Sequence, residues 1–334
     1  MDYSVQVVND HVSWKTLREI ALEVDRGRWH TLWNYDHLVP PAAELMPFLT
    51  DDVAAHEAGD VFEGWSLLAA WAALTERVRL GCLVTAIPFR NPALLAKMAV
   101  TVDHISDGRL ELGLGAAWHV GETRAYGIPL GGNKEKLDRF AEGLEVIRRL
   151  LAEGPTEDFS GRYFQLDKAP FAPGPVRGKL PILIGGAGEK RTLRMVAEYA
   201  DSYNFFANQI STPELYAHKS KVLDEHCVAI GRDPAEIRRS VCLFTDLEDN
   251  EALARGKREF MGQQLDEAGR EGLLFGSPQR VIDGVGNVLE RIAAAGSRVD
   301  EVILAGLTPR AEVYQRFNEE VLAHLPTGSL TAAV

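Results

Sequence analysis

Cysteine is scarce in this 334-residue sequence, which contains only Cys82, Cys227 and Cys242. An odd number without CxxC spacing indicates neither a disulfide framework nor a zinc ribbon, and it favours a reducing compartment. Residues 1–9 lack the basic-then-apolar pattern of a signal peptide, and no apolar run approaches the roughly 18 residues of a membrane span. We therefore expect a cytoplasmic protein without a membrane partner.

Positive charge is also in short supply. Lysine and arginine number 36 against 48 aspartates and glutamates, so the formal net charge is −12, which argues against a nucleic-acid partner. The HExxH, GxSxG and Walker patterns are missing. His218, His226 and Cys227 have near-helical spacing, but ordinary helix positions explain it better than a metal site, so no metal is predicted.

What the sequence does contain is a series of short β-prone runs between amphipathic segments. Residues 182–184 and 302–304 are continuously apolar, as strands covered on both faces require. The runs are 3–8, 31–35, 78–85, 109–114, 181–184, 202–206, 240–245 and 301–305. Eight strands alternating with helices, without a biased linker, favour an α/β fold with one (β/α)₈ (TIM) barrel over two doubly wound halves.

This barrel is expected to occupy residues 1–327, followed by a flexible tail at 328–334. Asn91 and Pro92 predict a helix start, and a second helix is predicted over residues 134–152. Two stretches, 39–64 and 154–180, are too long for simple connections. We expect these inserted segments to lie over the binding face and to select a small-molecule substrate whose identity the sequence leaves open.

Two segments lie at the carboxyl ends of the second and third predicted strands, where a barrel places its active site. Asp36 and His37 follow the second strand. Such a pair is usually a capped loop, but this position favours acid/base chemistry. Leu83, Val84 and Thr85 end the third strand and by themselves indicate only core.

Residues 113–119 follow the fourth strand and superficially match the dinucleotide-binding GxGxxG pattern. Trp118 stands where the last glycine is required, so that interpretation fails. Gly115 and Ala116 have little side-chain bulk, so the backbone could approach a flat ring with Trp118 as a wall. A simple turn is an equally open interpretation.

A glycine-rich loop connects the fifth strand to a helix. Its residues are Gly185, Gly186, Ala187 and Gly188. Free amides and the positive end of the helix dipole at such a loop can hold a phosphate. Lys190, Arg191 and Arg194 either favour an anionic cofactor or are simply solvated charges in an ordinary loop.

Taken in order, several segments resemble the luciferase-like monooxygenase family, particularly its deazaflavin (coenzyme F420)-dependent oxidoreductase branch. The similarity spans nearly the whole chain. The segments are 32–37, 79–81, 90–97, 103–115 and 185–193.

The resemblance implies a barrel that holds the flat ring of a cofactor at the carboxyl ends of its strands, and a homodimer. It implies a non-proline cis peptide between Leu83 and Val84, a phosphate on the glycine-rich loop, and His37 facing the substrate as acid/base. The implied cofactor-binding residues are Asp36, Leu83, Val84, Thr85, Gly115, Ala116, Trp118, Gly185, Gly186, Ala187 and Gly188.

The expected reaction is hydride transfer between the deazaflavin C5 atom and a small organic substrate. Some deazaflavin sugar-phosphate dehydrogenases carry a catalytic glutamate at the position of Trp118, which weakens that assignment and suits a less polar substrate. His119 or Glu122 is an alternative proton donor. An FMNH2-dependent monooxygenase and a non-catalytic cofactor-binding barrel remain open alternatives.

Overall fold

Eight parallel strands of the chain close into a barrel. The computed structural model describes residues 1–41, 60–152, 157–205, 212–264 and 273–326. The barrel strands are β1 (Asp2–Gln6), β2 (Thr31–Asn34), β3 (Arg79–Cys82), β5 (Leu110–Gly115), β8 (Ile182–Gly185), β9 (Ser202–Phe205), β10 (Arg238–Leu247) and β12 (Glu301–Ala305). They pair in that order, and β12 pairs with β1 to complete the cylinder. The predicted TIM barrel and its eight strand runs are confirmed.

Four further strands were not predicted as separate elements. Strand β4 (Thr85–Ala86) continues the third barrel strand and pairs with β5. Strands β6 (Phe159–Ser160) and β7 (Gln165–Leu166) form an antiparallel hairpin. Strand β11 (Leu273–Gly276) pairs with the last four residues of β10, and only the first of these, Phe244, also pairs with β12.

Helices surround the barrel. They are α1 (Trp14–Arg26), α2 (Gly64–Leu74), α3 (Pro92–Ile105), α4 (Val120–Ala125), α5 (Asn133–Leu151), α6 (Thr192–Tyr199), α7 (Pro213–Ala229), α8 (Glu251–Gln264), α9 (Pro278–Ala294) and α10 (Ala311–Glu320). The Asn91 side chain accepts a 2.8 Å hydrogen bond from the Ala93 amide, which confirms the predicted cap of α3. The helix predicted over 134–152 is α5. No helix in the described ranges is long and apolar enough to cross a membrane.

The interior of the barrel is a packed core, and glycines make room for its largest side chain. Trp33 is fully buried with Leu183 and Ile303. A Cβ on Gly81 would lie 2.2 Å from the Trp33 ring, and one on Gly113 would lie 2.0 Å from a backbone oxygen of β3. Because neither glycine carries a side chain, β3 and β5 can pack closely against each other and against the indole ring of Trp33.

The prediction that residues 154–180 lie over the binding face is wrong for the described part, 157–180. This segment runs along the outer helices. Lys97 of α3 donates to the Ala172 carbonyl, and Asp103 accepts from the Val176 amide. The segment joins a helix to the beginning of β8, and such connections lie at the end of a barrel opposite its active site. Residues 42–59 of the other insertion and the predicted tail lie outside the described residues.

Candidate active site

The cis peptide bond expected between Leu83 and Val84 is present at the carboxyl end of β3. Val84 is half-buried, and its two methyl groups face glycines on the next two strands. A Cβ on Gly115 would lie 2.5 Å from Val84 Cγ2, and one on Gly185 would lie 3.1 Å from Cγ1. Three separately predicted segments therefore meet at one place, which we call the Val84 shelf (Val84, Gly115 and Gly185).

Hydrogen bonds from neighbouring strands hold the shelf. Gln6, the last residue of β1, donates from Nε2 to the Leu83 carbonyl at 3.0 Å. The Leu83 amide donates to the Asn34 carbonyl at 2.8 Å. The buried Thr85 hydroxyl accepts a 3.2 Å bond from the Trp65 indole. Sequence reasoning missed Gln6, because it lies inside the predicted run 3–8 and not at the end of that run.

The Asp36 carboxylate accepts hydrogen bonds from other groups of the protein. Both of its carboxylate oxygens accept from the Arg90 guanidinium, at 2.6 and 2.8 Å, and one also accepts from the Ala86 amide at 2.9 Å. The Asp36 side chain is 1% exposed and that of Arg90 12%. This buried two-armed ion pair fixes the end of β2 against β4 beside the shelf.

His37 pairs with a buried carboxylate from helix α4. Its Nδ1 lies 3.0 Å from Glu122 Oε2, with the Glu122 side chain 1% exposed and that of His37 16%. The other oxygen of Glu122 accepts from the amides of Leu38 and Val39. Burial by itself raises the pKa of Glu122, but the bond and charge of His37 and the two amides outweigh it, so this pKa lies below its usual value.

Aromatic rings surround His37. Tyr35 and Trp118 each lie edge-on to the imidazole at 5.5 Å between ring centroids, and His119 lies at 6.2 Å. Trp118 is 41% exposed. Ala116 is half-buried directly after β5. The segment after β5 thus brings Trp118 and Glu122 to His37, which connects two of the predicted site segments.

The glycine-rich loop opens beside the shelf. Gly186 has a φ of +127°, a conformation that a side chain would disfavour. Among the described residues, the amides of Gly186, Ala187 and Gly188 have no protein acceptor. The Gly186 carbonyl accepts a hydrogen bond from the Tyr203 hydroxyl.

Two of the three cations near this loop are engaged elsewhere. Arg191 contacts Asp138 at 2.7 Å, and Arg194 contacts Glu198 at 2.8 Å. Each of these arginines thus has a carboxylate partner, and their attraction for an anionic cofactor stays a prediction. Within the described ranges, no group of three His, Cys, Asp or Glu side chains could hold a metal ion.

A closed parallel barrel with a histidine–carboxylate pair and a small-residue shelf at the carboxyl ends of its strands has the architecture of a TIM-barrel enzyme. More specifically, the chain belongs to the luciferase-like monooxygenase family, whose model matches residues 2–319. It is thus a member of a family of oxidoreductases and monooxygenases.

Among proteins of similar sequence is an uncharacterised protein of Mycobacterium tuberculosis, 29% identical over 69% of this chain and 74% of the relative. Pyrimidine monooxygenase RutA of Yersinia enterocolitica is 31% identical over 59% of this chain and 52% of RutA.

Solved structures share the fold at low identity. The coenzyme F420-dependent tetrahydromethanopterin reductase of Methanopyrus kandleri has a TM-score of 0.73 at 19% identity, covering 97% of this chain and 99% of the other. The oxygenating component of 3,6-diketocamphane monooxygenase of Pseudomonas putida, in complex with FMN, has a TM-score of 0.71 at 16% identity, covering 98% and 99%.

Proposed function

We propose that this chain is an F420-dependent oxidoreductase that transfers a hydride between deazaflavin C5 and a small organic substrate, with His37 as the acid/base. The observation that carries the proposal is the pair of half-buried His37 and buried Glu122 at the same end of the barrel as the Val84 shelf. It combines a group able to exchange a proton with a surface that accepts a flat ring.

The residues present fit such a cofactor. Gly115 and Gly185 leave Val84 uncovered by side chains, so a planar ring can contact the backbone of three neighbouring strands. The amides of residues 186–188 are donors suited to an anionic group. Trp118 supplies an exposed apolar wall. When bound, the deazaflavin supplies a two-electron hydride exchange at C5.

The protein's own contribution is orientation and proton handling. The shelf and the loop would fix the ring and its anionic tail, which gives the substrate a defined approach. His37, held by Glu122 at one nitrogen, can exchange a proton with the substrate at the other. Trp118 next to His37 favours a substrate with an apolar part.

A second candidate function is an FMNH2-dependent monooxygenase. It is favoured by the sequence similarity to pyrimidine monooxygenase RutA, which is 31% identical over 59% of this chain. The shelf and the loop suit either tricyclic ring, since both cofactors present a flat face and an anionic tail. The chemistry differs, because the deazaflavin lacks the N5 atom and does not readily form an oxygen adduct.

Anaerobic titration with reduced F420 and reduced FMN, followed by product analysis with and without oxygen, tests the cofactor. Tight F420 binding with oxygen-independent turnover supports the proposal, whereas FMN binding with an oxygenated product supports the second candidate. Tight binding without redox exchange over a broad substrate panel would indicate a non-catalytic barrel.

His37→Ala tests the acid/base role. We expect cofactor affinity to stay largely intact while kcat falls by roughly 10²- to 10⁴-fold, the usual contribution of a positioned acid or base. Turnover equal to that of the unaltered protein would remove His37 from the mechanism.

A further inference from the structure

Two histidine rings at the barrel mouth each have one nitrogen in a hydrogen bond with Glu122. His37 Nδ1 lies 3.0 Å from the Glu122 carboxylate, and His119 Nδ1 lies 3.1 Å from the Glu122 backbone nitrogen. One residue therefore contacts both rings, once through an acceptor and once through a donor.

The hydrogen bond between the Glu122 amide and His119 Nδ1 is compatible with only one tautomer of the neutral His119 ring. A backbone N–H can only donate, so His119 Nδ1 must be an unprotonated acceptor, and the proton of the neutral ring must lie on Nε2. This bond also caps helix α4, since His119 is its N-cap residue. His119 could take up a proton at Nδ1 only by giving up the cap.

The bond to His37 requires the opposite arrangement. The buried Glu122 carboxylate already accepts from the amides of Leu38 and Val39, as an ionised carboxylate does. Its depressed pKa agrees with an ionised group. Since an ionised carboxylate can only accept, His37 Nδ1 must donate, and the lone pair of the neutral ring lies on Nε2.

We infer that Glu122 is a positioning residue: it holds His37 with its proton on Nδ1 so that Nε2 is the proton-accepting atom, while its amide holds His119 in the opposite tautomer. The edges of Tyr35 and Trp118 against His37 limit rotation of the imidazole. The catalytic meaning of this assignment rests on the proposed function, but the two tautomers do not.

The experiment is long-range ¹H–¹⁵N NMR of the full chain with ¹⁵N-labelled histidine, at pH 9 and without cofactor or substrate. His37→Gln and His119→Asn identify the two rings, since each removes one set of signals. We expect His37 Nδ1 protonated and His119 Nδ1 unprotonated. An unprotonated His37 Nδ1, or a protonated His119 Nδ1, would overturn the inference.

Glu122→Gln tests whether the carboxylate sets the tautomer. The amide oxygen of glutamine can still accept from Leu38 and Val39, so its NH2 group would donate to His37 and move the imidazole proton to Nε2. We expect that shift, with kcat at least about tenfold lower. A His37 Nδ1 that keeps its proton in this variant would contradict the assignment.

His119→Asn is the matched control, because asparagine also accepts at a helix N-cap. It should leave His37 Nδ1 protonated, whereas loss of that proton here would contradict the role given to the Glu122 carboxylate. The expected tautomers together with unchanged turnover in His37→Ala would remove the proposed acid/base role of His37 and leave the two tautomers standing.

Discussion

Gly115→Ala places a methyl group directly against the Val84 shelf. The new Cβ would lie 2.5 Å from Val84 Cγ2, whereas carbon atoms pack best at about 3.5–4.0 Å, so the overlap is about 1 Å or more. Val84 does not turn away easily, because a β-branched side chain is stiff at χ1.

Relief must therefore come from displacement of Val84 or of the β5 end. Overpacking of this kind costs about 1–3 kcal/mol. If the whole cost is subtracted from the binding free energy of the cofactor, its affinity falls by roughly 5- to 150-fold, since each 1.4 kcal/mol is about tenfold. Anaerobic fluorescence titration with F420 and with FMN measures this loss, and urea unfolding separates it from a loss of stability.

Val84→Ala completes a double-mutant cycle. Without Cγ2, the methyl of Gly115→Ala has no atom to overlap, so the Gly115 substitution should weaken binding less in the Val84→Ala background than in the unaltered protein. Gly185→Ala, with its longer 3.1 Å contact, serves as the milder control. Unchanged cofactor affinity in Gly115→Ala, or an equal effect in both backgrounds, would refute this account of the shelf.

Three further predictions concern stability. Asn91→Ala removes the cap bond to the Ala93 amide and should lower the free energy of unfolding by about 1 kcal/mol in urea titration. Arg90→Met leaves the Asp36 carboxylate buried without its partner, so we expect a loss of about 3–5 kcal/mol; an unchanged unfolding midpoint would contradict the buried pair. Burial and the nearby negative charge raise the pKa of Glu301 from 4.5 to about 7. The folded chain then holds a proton that the unfolded chain releases between those values, so stability falls as pH rises through this window. Glu301→Gln should flatten that dependence in urea titrations at several pH values, and an equally steep dependence would contradict it.

Local chemistry explains why much of the fold was predictable. The β-prone runs and the caps depend on neighbours along the chain, so all eight barrel strands and the start of α3 at Pro92 follow from spacing and composition. The location of the 154–180 segment was mispredicted for its described part, 157–180, because length alone does not say at which end of the barrel a connection lies.

The sequence likewise identified some residues of the candidate site and missed others. Position in the sequence identified the segments around His37, Gly115 and the 185–188 loop, since each follows a strand and strand ends meet at one face of a barrel. Val84 was added only by the resemblance to the family. Sequence reasoning left Glu122 as one of several proton donors and missed Gln6 altogether.

The amino-acid sequence by itself thus determined the barrel, its strand order and the segments that reach the mouth, because periodicity, caps and glycine positions are properties of neighbouring residues. Only the tertiary structure decided the partners: Arg90 for Asp36, Glu122 for His37, and two glycines for Val84. These contacts join residues from 31 to 101 positions apart in the chain, and no local pattern specifies which distant side chain will meet a given atom.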